Sequence, residues 1–262
     1  MARITYPPSL GQSLKGRVVV ITGGAQGIGA SIVEHLHSLG AHVIFGDIAD
    51  VPGTELASSL STAHFVHTDV TSYADQLALF ESAFTHHGSI DAAVQPSTTP
   101  PGSPVLPLTR SPVSRWHLSR PPPPFPESST EEKFVPSVTF TSVYSTTKHG
   151  LVGLMRSLPH TKGLARFNVV CPSATDTGML PDFVKAAWTG AGFRMQSPEA
   201  VAESVVHCIS DAGLDRRALV VAGGKAWESE GELEKLSGAW LGEENGKEVD
   251  GSAAFYFASV SD

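Results

Sequence analysis

The sequence predicts an α/β fold, a doubly wound parallel sheet, and three observations carry that reading. Short β-branched runs alternate with helical segments through the first third of the chain. The first of these runs, Val18–Ile21, is apolar on every residue, as a strand buried on both faces requires. A glycine-spaced turn then joins it directly to a helix. Repeated βα units of this kind close into a parallel sheet with right-handed crossovers. The 262 residues suit one domain over 1–262, long enough for a two-sided core.

In chain order, the first helix carries Ile28, Ile32, Leu36 and Leu39 at helical spacing. Ala41–Gly46 reads as a second strand ending in Asp47, and His64–His67 as a third, followed by Asp69 and Val70. A helix over about 72–87 places Leu77, Phe80 and Phe84 on one face. Ile90–Val94 reads as a fourth strand. From Pro96 to Pro136 the pattern stops, because this stretch holds 12 of the 19 prolines. Proline costs about 3 kcal/mol inside a helix, so at most a short piece such as Ser111–Ser119 or Ser128–Phe134 is helical. The segment reads as an irregular proline-rich insertion replacing a crossover helix. Order resumes with a strand at Val138–Thr141 and a helix over about 144–158 carrying Leu151, Leu154, Met155 and Leu158. Phe167–Cys171 and Ala218–Ala222 complete the strands. Ser197 and Pro198 open a helix over 198–210, with Ser197 as its cap. Residues 225–262 have weak periodicity and read as a surface-lying tail.

Composition narrows the function classes. A net charge of −8 gives no basic footprint for nucleic acid. No apolar run approaches the roughly 20 residues of a membrane span, and the start of the chain lacks the apolar core of a signal peptide. The two cysteines, Cys171 and Cys208, sit in apolar surroundings and suggest no disulfide framework. A cytoplasmic protein without a metal site is expected.

The chemistry starts at Thr22–Gly29. Gly23, Gly27 and Gly29 free the backbone to turn sharply and approach a ligand, with Ile28 between the last two. A strand entering a helix through such a turn is an anion site, and a dinucleotide pyrophosphate suits it. Asp47, 18 residues after Gly29, can accept hydrogen bonds from ribose hydroxyls and would repel a 2′-phosphate. No arginine or lysine flanks it, so NAD is favoured over NADP. Downstream, Tyr144 and Lys148 are spaced i, i+4 and share one helix face. A tyrosine acid/base needs its pKa brought from about 10 to about 7 or 8, worth roughly 3–4 kcal/mol. One ammonium about 4 Å away supplies about 4 kcal/mol at an effective dielectric near 20. The magnitudes match.

The spacing T-G-x-x-x-G-x-G, with Tyr-x-x-x-Lys after it, resembles the short-chain dehydrogenase/reductase family over 17–95 and 135–224, within the broader Rossmann class. The resemblance implies hydride exchange between a nicotinamide and a small-molecule secondary alcohol or ketone. It implies that Tyr144 moves the proton, that Lys148 also binds the nicotinamide ribose, and that Ser142 orients the substrate. Asp69 and Val70 would hold the adenine, and Thr175 and Thr177, in the loop from Pro172, the carboxamide. Val220–Gly224 resembles the family's last strand and diglycine exit. Lys225–Glu228 and Trp240–Glu244 resemble fungal members that oxidise polyketide alcohols. A homo-oligomer is the family's habit.

Three departures bear on the chemistry. The family's Asn-Asn-Ala-Gly should fall near Val94–Ser97, which reads Val-Gln-Pro-Ser, and Pro96 removes a backbone donor. The crossover helix bearing the family's catalytic asparagine, and much of its dimer interface, is replaced by proline-rich chain. Ser142 stands only two residues before Tyr144, without the family's intervening substrate loop, so it reads equally as a helix cap. A catalytically impaired dinucleotide-binding protein with a structural or interaction role is therefore the rival expectation. The abrupt composition change at both ends of 96–141 also fits a retained intron or a local frame change.

Overall fold

Val18–Thr22 (β2) is buried along its whole length, and the fold is built outward from it. The computed structural model describes residues 3–96, 148–157 and 165–247. β2 pairs in parallel with β3 (His42–Asp47) on one side and β5 (Ala92–Val94) on the other. β4 (Ala63–His67) lies outside β3, so the order is β4-β3-β2-β5. The chain reverses direction of growth at β2, and ligands of open α/β sheets bind beyond strand ends at such a point. A second sheet has the order β1-β8-β7-β6: β1 (Arg3–Ile4), β8 (Lys225–Glu228), β7 (Arg217–Ala222) and β6 (Asn168–Pro172). Within it β6 and β7 are parallel, whereas β8 runs antiparallel to both its neighbours. A 3-10 helix, Pro8–Leu14, precedes β2.

The alternation along β2 feeds two cores. Val19 and Ile21 meet Ile32, Val33 and Leu36 of α1 (Gly27–Ser38), together with Ala202 and Val206 of α6 (Pro198–Ser210). Val18 and Val20 meet Ile44, and Leu79 and Ala83 of α3 (Tyr73–His87). Packing of α1 on α6 ties the two sheets together. Among the described residues no helix is long and apolar enough to cross a membrane.

Most of the expected elements stand within two residues of their anticipated ends. The expected face of α3 is corrected: Leu77 and Phe84 point outward, and Leu79 and Ala83 are the buried pair, with Phe80 partly buried beside them. The reading of 225–262 as a tail is corrected over 225–241, and residues 248–262 lie outside the described residues. Gly223 and Gly224 both adopt positive φ, which turns the chain back as β8, and α7 (Glu230–Leu241) follows. The Glu228 carboxylate accepts the N–H groups of Glu230 and Gly231, so glutamate does the work of the usual short capping side chain. α2 (Asp50–Ser59) and α5 (Asp182–Gly190) were not anticipated. α2 buries only Gly53 and lacks the periodic apolar stripe that marks a helix, whereas α5 carries Phe183, Val184, Ala187 and Trp188 at helical spacing but leaves Phe183 and Trp188 exposed. Ser197 occupies the cap position of α6, but its hydroxyl bonds the Glu199 carboxylate rather than a backbone N–H. The described part of α4 spans 148–157, with Met155 buried and Leu151 and Leu154 partly so. The expected strand Val138–Thr141, the short helical pieces of the insertion and Leu158 lie outside the described residues.

Candidate functional site

At the end of β2, Gly23 (φ 66°) and Gly27 (φ 56°) hold the left-handed backbone that glycine tolerates best. At Gly29 a Cβ would overlap the carbonyl oxygen of Gly23, so only glycine lets α1 start this close to the strand. The Gly24 N–H donates to the Gly46 carbonyl at 3.1 Å, fixing the turn against β3. No side chain caps α1, whose first-turn N–H groups and dipole are available to an anion. Ile28 packs into the cores on both sides of the turn and anchors the helix start.

Asp47 ends β3 beside this turn. Its carboxylate accepts the N–H of Ala25 at 3.0 Å and that of Ala49 at 3.1 Å. An ionised carboxylate offers about four acceptor sites, so roughly two remain for a ligand's hydroxyls. Asp69 and Val70 follow β4 in an ordered turn. Asp69 accepts the Thr71 N–H at 2.8 Å and donates its own N–H to Asp75, while the Val70 carbonyl accepts from Gln76 at 2.6 Å. That backbone hydrogen bond from Asp69 holds the Asp75 carboxyl below its ordinary value.

The loop after β6 closes over the glycine turn from the other sheet. A Cβ on Gly27 would sit 3.3 Å from the Thr177 side chain, so Thr177 covers the turn directly. Thr175 is buried: its hydroxyl donates to the Ser173 carbonyl at 2.9 Å and accepts from Gln196 at 3.2 Å. Gln196 is the residue that sequence reasoning missed. Only 3% exposed, it also donates to the carbonyls of Ser173 and Val221, and accepts the Gly224 N–H. It thereby ties the ends of β6 and β7 to one loop. Gln196→Ala would strand two or more buried polar groups, an expected cost of about 1–3 kcal/mol read from the urea midpoint.

Lys148 opens the described part of α4 and is half-buried. Burial pushes its ammonium below the ordinary lysine value, and the Cys171 thiol of β6 pulls it weakly the other way. Burial in turn raises the Cys171 thiol, with Glu230 adding to the shift and Lys148 opposing it. Arg156 of the same helix holds Glu230 in a two-pronged pair, Nε to Oε2 at 2.7 Å and Nη2 to Oε1 at 2.9 Å. That pair fixes the helix carrying Lys148 against the start of α7. The structure thus brings Gly23, Gly27, Gly29, Asp47 and Thr177 around one turn. It places Lys148 beside β6 and Asp69–Val70 beyond β4. Ser142 and Tyr144 lie outside the described residues.

Comparison with known proteins follows the same lines. The family model for short chain dehydrogenase matches residues 17–114. The chain is 31% identical over 250 residues to the short-chain dehydrogenase/reductase ascJ of Acremonium egyptiacum, covering 83% of this chain and 82% of that one. It is 30% identical over 239 residues to the cis-4-hydroxycyclohexanecarboxylate dehydrogenase of Sinomonas cyclohexanicum, covering 78% and 93%. Among solved structures, the 3-ketoacyl-(acyl-carrier-protein) reductase of Brucella melitensis complexed with NADH superposes with a TM-score of 0.59. That likeness, at 19% identity, spans 81% of this chain and 99% of the other.

Proposed function

Since the chain belongs to the short-chain dehydrogenase/reductase family of oxidoreductases, we propose that it interconverts a secondary alcohol and a ketone with NAD, in secondary-metabolite (polyketide-like) biosynthesis in the cytoplasm. The observation that carries the NAD reading is the Asp47 carboxylate, tied to Ala25 of the glycine turn. It stands where a 2′-phosphate would need a cation. The relatives support the reaction class, one being named for a hydroxy acid and one solved with NADH bound.

The residues fit such a cofactor. The first turn of α1 takes the pyrophosphate, Asp47 the ribose hydroxyls, and Asp69 with Val70 the adenine. Thr177, over the turn, takes the carboxamide; the Thr175 hydroxyl is buried and already engaged, and holds the loop. The cofactor held there would supply the hydride for the carbonyl carbon. The Tyr144 hydroxyl gives its proton to the carbonyl oxygen, Lys148 lowers the tyrosine pKa electrostatically, and Ser142 orients the oxygen. In the direction of oxidation Tyr144 takes the proton back.

The test is NADH-dependent reduction of a panel of ketones by wild type and Tyr144→Phe. Loss of the acid should lower turnover about 10²–10⁴-fold while NADH binding is retained. Pro96, two residues past the end of β5 and unable to donate a backbone hydrogen bond, favours a second reading: a dinucleotide-binding protein with impaired catalysis. NADH binding by wild type without turnover on any ketone is the result that reading expects.

A further inference from the structure

Beyond the ends of β6 and β7 lies a pocket of about 340 Å³, walled by Ser173, Trp188, Phe193, Arg194, Lys225 and Trp227. Its chemistry is uneven in an informative way. Trp188 and Phe193 pack at 5.1 Å between ring centroids yet remain 37% and 59% exposed, so aromatic surface is left facing the opening. The Trp188 indole N–H donates to the Arg194 carbonyl at 3.3 Å, which folds the chain after α5 back across the β7–β8 turn. There the Arg194 stem lies over Gly223. Arg194 and Lys225 give this wall two cations, and among the described residues no carboxylate lines it, in a chain whose net charge is −8. Ser173 begins the loop whose Thr177 covers the glycine turn, so the pocket and the dinucleotide site share one loop.

Resting on the oxidoreductase reading above, we propose that this pocket takes the substrate, and that the substrate is a flat aromatic molecule carrying an anionic group. The rings lie against Trp188, Phe193 and Trp227, and the anion pairs with Arg194 and Lys225. A guanidinium recognises a carboxylate through two parallel hydrogen bonds, which a neutral hydroxymethyl group cannot reproduce.

The probes are 2-naphthoate and its neutral analogue 2-naphthalenemethanol, titrated calorimetrically into the full chain. Wild type should bind naphthoate about ten- to hundredfold more tightly than the alcohol, the worth of one or two charge-assisted hydrogen bonds. The double variant Arg194→Gln, Lys225→Gln should bind the two alike. The double variant Arg194→Glu, Lys225→Glu should prefer 2-naphthylmethylammonium. Both side chains are exposed, so thermal melts should match wild type. Equal or undetectable binding of acid and alcohol by wild type, or a preference that survives in the glutamine variant, overturns the assignment. NADH titrated into the same samples separates the two readings. A naphthoate preference without NADH binding overturns the dinucleotide reading alone, and NADH binding without the preference overturns this one alone.

Discussion

Gly29→Ala should destabilise the chain by about 3 kcal/mol, the upper end of ordinary overpacking, because the clash is with backbone. At this chain length that lowers Tm by about 6–12 °C. The new Cβ overlaps the Gly23 carbonyl oxygen and also meets the Gly24 Cα at 3.0 Å. Neither element can retreat. β2 is held by β3 and β5 on its two edges, and α1 is held by Ile32, Val33 and Leu36, all at 0% exposure. The junction must distort instead, turning the first-turn N–H groups away from the pyrophosphate, and NADH affinity should fall by more than about tenfold. Gly150→Ala is the control. That glycine is helical with open space around it, so alanine should be neutral or stabilise by up to about 1 kcal/mol. Thermal melts and NADH titrations of both variants read the contrast.

Lys148→Met should have the larger effect on chemistry. If Lys148 supplies the roughly 3–4 kcal/mol that brings Tyr144 toward neutrality, its loss lowers turnover about 10²–10³-fold near pH 7. The ionisation controlling the alcohol-oxidation rate should move up toward about 10, the ordinary tyrosine value. In wild type that rate rises with pH as the tyrosine deprotonates, then falls as the Lys148 ammonium is lost at its lowered pKa. Burial of Lys148 also sets how stability varies with pH. Burial lowers the folded-state pKa, so between that value and the ordinary lysine value the unfolded chain binds more protons. Stability therefore climbs with pH across that window, and the penalty of burying the ammonium is fully present below it. Methionine should remove this slope.

The legibility of the fold followed burial. Val18–Thr22, Ile32, Leu36 and α6 were readable because each puts apolar side chains where a periodic pattern records them. α5 is a nine-residue helix whose apolar side chains stay out of the core, and β8 depends on two glycines in the left-handed region, so neither stood out. On α3 the pattern misled, since Phe84 is large and exposed while the small Ala83 is buried. The site divides in the same way. The glycine turn and Asp47 were legible because spaced glycines after an apolar strand, and an acid closing the next strand, form a pattern along the chain, although Asp47 reaches the turn across 22 residues through the β2–β3 pairing. Gln196 was not, because a single glutamine in a loop belongs to no spaced motif, and the ends of β6 and β7 meet it only once those strands have paired.

The central claim is an oxidoreductase whose glycine turn and Asp47 hold NAD, and calorimetric titration of NADH and NADPH into wild type and Asp47→Asn tests it most directly. Wild type should bind NADH at least about tenfold more tightly, since a 2′-phosphate would stand against the carboxylate without a cation. Asp47→Asn, which keeps an acceptor but loses the charge, should erase most of that preference. Tighter binding of NADPH by wild type, or no binding of either nucleotide, would contradict the account.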